Sequence, residues 1–300
     1  MNAGRMIRGY LAVIASAVLY GCMPLMAKLI YADGVNQFTL VFLRNFLALP
    51  VIGVMAYMQN KTLKIPKKMI PKVCLTSLLG SCITPVLLYT SYKFIDGGTA
   101  TVFHFIYPAI VVIIGIILKD EKAKWGNIIS VVLCVLGICL FYEPGATLDW
   151  RGAVPAVASG FTYAAYVVLL ARCGAKQVPG FLFAFYVAVT CSVAMLIVCL
   201  VTGQLALPQT IVGWGWSFLF AIGITCGAVV LFQLGTFIVG GQQAAILSAL
   251  EPITSVVISV ILAEAVFGLR NGLGTTFVIA STVLIGVCNF KKTKNAPKTQ

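Results

Sequence analysis

Charge is scarce in this chain, and acidic residues are the scarcest charged type. Only 10% of the 300 residues are charged and 60% are hydrophobic, with 8 acidic residues, 21 basic residues and one histidine. Soluble domains are typically about one quarter charged and about half apolar. This composition excludes an ordinary soluble globular protein. It predicts a chain that lies in a lipid bilayer, where roughly 20 apolar residues cross once as a helix.

Several catalytic and metal-binding patterns are missing as well. The ten cysteines form no CxxC pair, and the single histidine, His104, cannot complete a Cys/His zinc site. The sequence contains no P-loop and no GxSxG motif, which argues against direct use of ATP and against a serine hydrolase. We therefore expect no cofactor, no metal and no disulfide framework.

Apolar runs, which fill nearly the whole chain, are separated by short segments that carry charges or turn residues. The predicted fold class is an all-α membrane protein with ten transmembrane helices. The predicted spans are residues 10–30, 38–58, 73–93, 99–118, 125–142, 152–171, 180–201, 212–235, 243–263 and 272–290.

The basic residues predict the orientation of these spans. If the N-terminus is cytoplasmic, 16 of the 21 basic residues fall in cytoplasmic segments, as the positive-inside rule requires. The other five lie on or near the outer ends of spans: Lys28, Arg44, Lys93, Arg151 and Arg270. We expect a plasma (inner) membrane protein with both termini cytoplasmic. Residues 293–300 form a basic tail that suits lipid headgroups better than nucleic acid.

The chain resembles itself at an offset of 143 to 144 residues. Tyr20 is matched by Tyr163, and Tyr107-Pro108 is matched by Glu251-Pro252. The offset predicts two repeats, residues 1–145 and 146–292, with five spans each. Because five is odd, the second repeat enters the membrane from the opposite side. Such inverted repeats recur in secondary transporters, where the substrate site lies near the midplane between the halves.

The ninth predicted span carries the most specific sequence pattern. The residues that carry this pattern are Gly241, Ala244, the Glu251-Pro252 pair and Glu264. Together with the repeat, it resembles the drug/metabolite transporter superfamily, EamA type, over almost the full chain. The first half departs from the pattern by carrying Tyr107 before its proline. The resemblance implies ten helices, cytoplasmic termini and transport, often export, of amino acids and related metabolites.

The function predicted from these features is secondary transport of small organic solutes by alternating access. An amino-acid or metabolite exporter or exchanger fits best, and an enzyme is not expected. A channel or structural membrane component is the main alternative, and an intramembrane enzyme is a weaker one. The expected partners are a small-molecule substrate and the lipid bilayer, with a proton as candidate coupling ion. Monomer and homodimer both stay open.

The candidate substrate-binding residues are polar side chains inside predicted spans, where such groups are costly and default to functional hypotheses. They are Glu251, His104, Tyr20, Tyr163, Tyr89, Gln233, Ser248 and Arg44, with Tyr166, Gln242 and Gln243 as weaker candidates. The structural alternative is a hydrogen bond between helices for most of them. For Arg44 it is headgroup contact.

The two matched prolines are candidate hinges. Pro108 and Pro252 are predicted to kink their helices at equivalent depth and to free the carbonyls of His104 and Ser248. A static kink that improves packing is the alternative. Ser248, Glu251, Ser255 and Ser259 fall on one helical face, and this polar stripe is expected to face protein or a water-filled path.

Overall fold

The computed structural model describes residues 3–118, 125–140, 149–172, 178–239, 244, 246–262 and 268–294, and every regular element within them is helical. Helices 1 to 4 are Ala3–Gly21 with Met23–Ala32, Gln37–Phe46 with Leu49–Asn60, Lys67–Ser91, and Gly97–His104 with Tyr107–Ile117. Helices 5 to 7 are Trp125–Cys139, Trp150–Arg172 and Gly180–Val201. Helix 8 runs from Ile211–Phe220 through Ala221–Ala228 to Val229–Val239, and helices 9 and 10 are Leu250–Ile261 and Leu269–Lys294.

Seven of these helices are long and apolar enough to cross a membrane. They are Arg5–Ala32, Gln37–Asn60, Lys67–Ser91, Gly97–Ile117, Trp150–Arg172, Gly180–Val201 and Ile211–Thr236. Shorter apolar helices occupy Ile128–Cys139, Leu250–Ile261 and Leu269–Ile285. The predicted class, an all-helical multi-pass membrane protein, is confirmed, whereas the count of ten spans stays a prediction.

Irregular backbone recurs at the repeat offset. π-Helical stretches occupy Leu78–Ile83 in helix 3 and Ala221–Ala228 in helix 8, which begin 143 positions apart. Helix 4 breaks at residues 105–106, and a turn at residues 248–249 precedes helix 9 at the same spacing. Since π-helical turns are rare, their recurrence at one offset indicates two copies of one structural unit.

Helices 1 and 2 are interrupted, while helices 6 and 7 are continuous. Helix 1 breaks at Cys22, two residues before Pro24, and helix 2 breaks before Pro50. A proline lacks the N–H group that would continue the helical ladder. The hydroxyl of Ser255 in helix 9 donates to the Gly21 carbonyl at 2.9 Å. The sequence predicted neither break.

One end of the bundle, here named the far end, collects the loops 33–36, 92–96 and 202–210. The Asp33 carboxylate accepts hydrogen bonds from the backbone N–H groups of Gln209 at 2.8 Å and Thr210 at 3.1 Å, and from the Thr210 hydroxyl at 2.7 Å. Gly152, at the start of helix 6, packs against Phe94 and Ile95. Helix 1 therefore ends on the same side of the bundle on which helix 6, its counterpart in the second repeat, begins. Inverted repeats require this arrangement.

Candidate functional site

Glu251 lies in the first turn of helix 9 and is half-buried. It is within electrostatic range of Tyr20 in helix 1, Tyr89 in helix 3, Tyr107 in helix 4 and Tyr163 in helix 6. These five residues are named the acid–tyrosine cluster. Because five helices contribute to it, the cluster faces the interior of the bundle and not the lipid.

The cluster contains both members of two repeat-related pairs. Tyr20 is the counterpart of Tyr163, and Tyr107 is the counterpart of Glu251. Tyr20 and Tyr163 lie within electrostatic range of each other, and Glu251 lies within range of Tyr107. Equivalent residues come within this range of each other only near the axis that relates the repeats. The cluster therefore lies at the interface between the two halves.

The short helix break before Glu251 determines its local environment. Residues 248–249 form a turn, so the carboxylate occupies the N-terminal turn of Leu250–Ile261, where the helix dipole favours negative charge. The Glu251 N–H donates to the Ser248 carbonyl at 2.9 Å. The prediction that Pro252 leaves this carbonyl unpaired is wrong, because a tight turn provides a donor three residues later instead of four.

Arg44 of helix 2 reaches the same cluster. One guanidinium N–H donates to the Tyr89 hydroxyl, and the guanidinium carbon lies 5.8 Å from the Tyr89 ring centre and 5.9 Å from that of Phe220. Its Nε is buried and has no hydrogen-bond partner among the described residues. A buried donor without a partner is uncommon. Arg44 thus brings a cation with spare hydrogen-bonding capacity to the edge of the cluster.

His104 is buried at the contact between helices 4 and 6. Its Nδ1 lies 2.8 Å from the Ser159 hydroxyl, which in turn donates to the Ala156 carbonyl at 2.6 Å. Since the Ser159 proton is already engaged, Nδ1 is the donor to Ser159. The imidazole lies 5.4 Å from the Tyr163 ring and 5.5 Å from the Tyr107 ring. It therefore supports the wall of the acid–tyrosine cluster.

The polar stripe of helix 9 divides into two parts. Ser255 is buried and bonds to helix 1 through Gly21 and to helix 4 through Thr101 at 3.3 Å. Ser259 is also buried and accepts the backbone N–H of Gly98 at 2.9 Å. Both serines link helices. Glu251 and Ser248 are half-buried.

The remaining candidates differ in how close they lie to the cluster. Gln233 faces Gly180 at the start of helix 7, with its amide nitrogen 3.3 Å from where a Cβ on that glycine would lie. Pro108 and Pro252 each lie in the first turn of the helical segment that follows a break. Tyr166 lies beside the cluster, with its ring centre 5.5 Å from that of Tyr163, and it packs against Gly80 in the π-helical stretch of helix 3. Gln242 and Gln243 lie outside the described residues.

Tyr107 is a cluster residue that sequence reasoning did not propose for binding. Its signal was present, because the repeat offset aligns it with Glu251. Tyr92 and Phe220 were also not proposed. Both are buried beside Tyr89, with ring-centre distances of 5.8 Å and 6.0 Å. Aromatic residues in apolar helices are too common for sequence alone to single these out.

Comparisons with known proteins agree with this architecture. The profile of the EamA-like transporter family matches residues 7–142 and again residues 150–287. The chain is 25% identical over 315 residues to the Uncharacterized inner membrane transporter YicL of Salmonella typhimurium, covering 96% of this chain and 98% of that protein. A crystal structure shares the fold at a TM-score of 0.62 and 16% identity, over 96% of this chain and 99% of the other. The chain belongs to the EamA-like transporter family and is a multi-pass membrane transporter.

Proposed function

We propose that the protein is a secondary transporter that moves small zwitterionic or amphipathic solutes, amino acids or related metabolites, by alternating access. Export or exchange is the proposed direction. The observation that carries the proposal is the acid–tyrosine cluster beside Arg44 at the interface of the two repeats. Substrate sites of transporters with inverted repeats lie at such interfaces near the midplane.

The residues of the cluster suit the parts of an amino acid. The Glu251 carboxylate would bind the ammonium group, and the rings of the tyrosines would add cation–π attraction. The Arg44 guanidinium would bind the carboxylate, for which its planar donors are well matched. The tyrosine faces would contact an apolar side chain, and their hydroxyl groups would keep the site wet. A simple ammonium ion or a simple anion would satisfy only one of the two charges.

The proposed conformational change uses the breaks in the helices. In the proposed topology ten spans cross the membrane, and both termini lie in the cytoplasm. Residues 1–145 and 146–292 form the two halves. The breaks at residues 105–106 and 248–249 border the acid–tyrosine cluster directly, so a change of bend there would move its walls. Glu251 is the proposed proton carrier if transport is coupled to protons.

Counterflow in proteoliposomes tests the proposal. Purified full-length protein is reconstituted and loaded with an unlabelled amino acid, and entry of the labelled amino acid is followed for a panel of side chains. We expect saturable entry that the internal amino acid accelerates, because one carrier exposes one site alternately to each side. If flux rises linearly with the external amino-acid concentration and does not depend on the internal amino acid, the protein is instead a channel. No flux for the whole panel would reject the proposed substrate class.

A further inference from the structure

A separate cavity of about 530 Å³ opens at the far end, between the end of helix 1, the start of helix 2 and the end of helix 3. Its walls include Lys28, Tyr31, Asn36, Tyr92 and Lys93. Two lysines and no acidic residue lie among the described residues that line it. The cavity is therefore a basic vestibule, and it does not include Glu251 or Tyr20.

The acidic residues closest in sequence to the vestibule are already engaged. Asp33 accepts three hydrogen bonds from Gln209 and Thr210 across the loop contact. Asp96 accepts the backbone N–H of Thr99 at 2.8 Å and caps the start of helix 4. Each carboxylate thus points into a helix N-terminus, where backbone donors hold it.

Lys93 is held over an aromatic ring and lies partly out of water. Its Nζ lies 5.3 Å from the centre of the Tyr31 ring, within the range of a cation–π contact. Partial burial lowers the pKa of Lys93 below its ordinary value of 10.5. An anion in the vestibule would restore the stability of the charged amine, because opposite charges favour the ionised form.

The vestibule is joined to the acid–tyrosine cluster through Tyr89. The Tyr31 hydroxyl donates to the Tyr89 carbonyl at 3.0 Å. Tyr92 lines the vestibule and contacts the Tyr89 ring at 5.8 Å. The Tyr89 hydroxyl accepts the hydrogen bond from Arg44. Two tyrosines, Tyr31 and Tyr89, therefore lie between Lys93 of the vestibule and the arginine of the deeper site.

We propose that the vestibule is a second binding site, specific for the carboxylate group of a solute, in which Lys28 and Lys93 hold the anion before Arg44 receives it or after Arg44 releases it. The transport role of this site rests on the function proposed above, whereas carboxylate binding does not. The same two lysines suit the phosphate of a lipid headgroup, so the test separates a soluble carboxylate from a lipid.

Thermal unfolding of the purified full-length protein in a neutral detergent tests binding directly. Sodium propionate is compared with sodium chloride at equal ionic strength and with uncharged propionamide. A ligand that binds the folded state raises the melting temperature. We expect propionate to stabilise the wild type. Part of this effect should remain in the Arg44→Gln variant, where only the vestibule would bind a carboxylate, and the Lys28→Gln/Lys93→Gln variant should be stabilised less than the wild type. Lys64→Gln/Lys67→Gln, which removes two lysines outside the vestibule, is the matched control.

Four results would overturn the proposal. They are no propionate effect in the wild type, an unchanged effect in Lys28→Gln/Lys93→Gln, complete loss of the effect in Arg44→Gln, and equal stabilisation by propionamide. If the double variant does not fold, Lys93→Gln and Lys93→Arg replace it, and only the arginine variant should keep the full effect. If the melting temperature rises only when phosphatidylglycerol is added and does not change with propionate, the site binds lipid and the carboxylate site is rejected.

Transport gives an independent measurement. In proteoliposomes, Lys93→Gln should raise the half-saturating concentration of a transported amino acid at the vestibule side by about tenfold, the loss expected for one charge-assisted contact, with the maximal rate unchanged. Equal half-saturating concentrations in Lys93→Gln and wild type would contradict the transport role. If the wild type carries no amino acid, the function proposed above fails, and the melting experiment still decides whether the vestibule binds carboxylates.

Discussion

Glu251 is an acidic side chain that lies among tyrosines contributed by four other helices. A buried carboxylate reduces stability unless it is paired or well hydrogen-bonded. A residue of this kind in an apolar helix has to be explained either by binding or by packing. Substitution by its uncharged isostere separates these roles, since glutamine keeps the shape and removes the charge.

Glu251→Gln should reduce amino-acid flux by roughly 10- to 100-fold, the loss of one charge-assisted contact to an ammonium group. The melting temperature should stay the same or rise, because the neutral amide is easier to bury. Counterflow and thermal unfolding measure the two quantities. Asp149→Asn, a substitution at the start of helix 6, is the control. Normal flux with a lowered melting temperature would assign Glu251 to packing alone.

Arg44→Gln tests the other charge. We expect flux of an amino acid to fall by roughly 10- to 100-fold. Flux of the corresponding amine without a carboxylate should change little, because only the carboxylate would contact Arg44. Competition by the two solutes in counterflow measures the difference, and Arg151→Gln, at an exposed position, controls for loss of positive charge. A similar loss for both solutes would show that Arg44 only supports the Tyr89 hydroxyl.

Ser159→Ala removes the group that holds the His104 imidazole. The substitution leaves a buried ring N–H without its acceptor, which should lower the free energy of unfolding by about 1–3 kcal/mol. Denaturant unfolding of Ser159→Ala, His104→Ala and the double variant gives the coupling between the two side chains. Additive effects would contradict the hydrogen bond. A flatter pH dependence of flux in His104→Ala would give the imidazole a part in proton coupling.

The interrupted helix 1 shows how an element is shaped by its neighbours. A Cβ at Gly21 would lie 2.4 Å from the Thr254 side chain and 2.9 Å from the Glu251 carbonyl oxygen. Helices 1 and 9 therefore pack with backbone against backbone where helix 1 breaks. This contact lies directly beside the acid–tyrosine cluster, so a displacement of either helix would reach the site.

Gly21→Ala should lower the free energy of unfolding by about 1–3 kcal/mol, as is typical of overpacking, and should reduce flux. Gly223→Ala is the matched control in helix 8, because a Cβ there meets no atom within 4 Å. Denaturant unfolding and counterflow should leave Gly223→Ala close to the wild type. Equal behaviour of the two variants would contradict the close contact between helices 1 and 9.

The residue that caps helix 8 is held in place by a side chain of the other repeat. Thr210 accepts the Gly213 N–H at 3.0 Å, and Asp33 binds Thr210 and Gln209. The Thr210 hydroxyl and backbone hold the pKa of Asp33 below its ordinary value of 3.8. A depressed pKa means that the carboxylate stabilises the fold above pH 3.8. This contribution is lost as the pH falls through the lower value of the folded state.

Asp33→Asn should therefore lower the melting temperature at neutral pH, and the difference from the wild type should shrink as the solution is acidified below pH 3.8. Thr210→Ala should lower the free energy of unfolding by about 1 kcal/mol through the lost cap. Thermal unfolding across this pH range measures both variants. If the difference in melting temperature between Asp33→Asn and the wild type does not change with pH, the charge of Asp33 does not contribute to stability.

At the scale of the whole molecule, the repeat relation organises the site. The acid–tyrosine cluster contains two pairs of repeat counterparts, which are Tyr20 with Tyr163 and Tyr107 with Glu251. Yet the two halves are not identical, since a tyrosine in one half takes the place of the acid in the other. This difference gives the site a single negative side chain in place of two. A single acid suits one ammonium group and avoids repulsion between like charges.

Sequence reasoning reached Glu251, Tyr20 and Tyr163 because an acid and a repeated tyrosine stand out in apolar helices. It could not separate them from Gln233, which faces Gly180 in the folded chain. Nor could it assign Ser255 and Ser259 to links between helices. The face that a polar residue presents depends on helix rotation and on breaks such as the one before Pro24, and these depend on packing.

The sequence by itself determined the membrane class, the helical content and the repeat, because each follows from composition or from spacing along the chain. The resemblance to EamA-type transporters came from the same source. Only the tertiary structure brought Arg44 to Tyr89, joined the vestibule to the acid–tyrosine cluster and linked Asp33 to Thr210. These contacts join residues 45 to 177 positions apart. The packing of the helices determines these contacts. The apolar periodicity of a single helix does not specify which other helices it packs against.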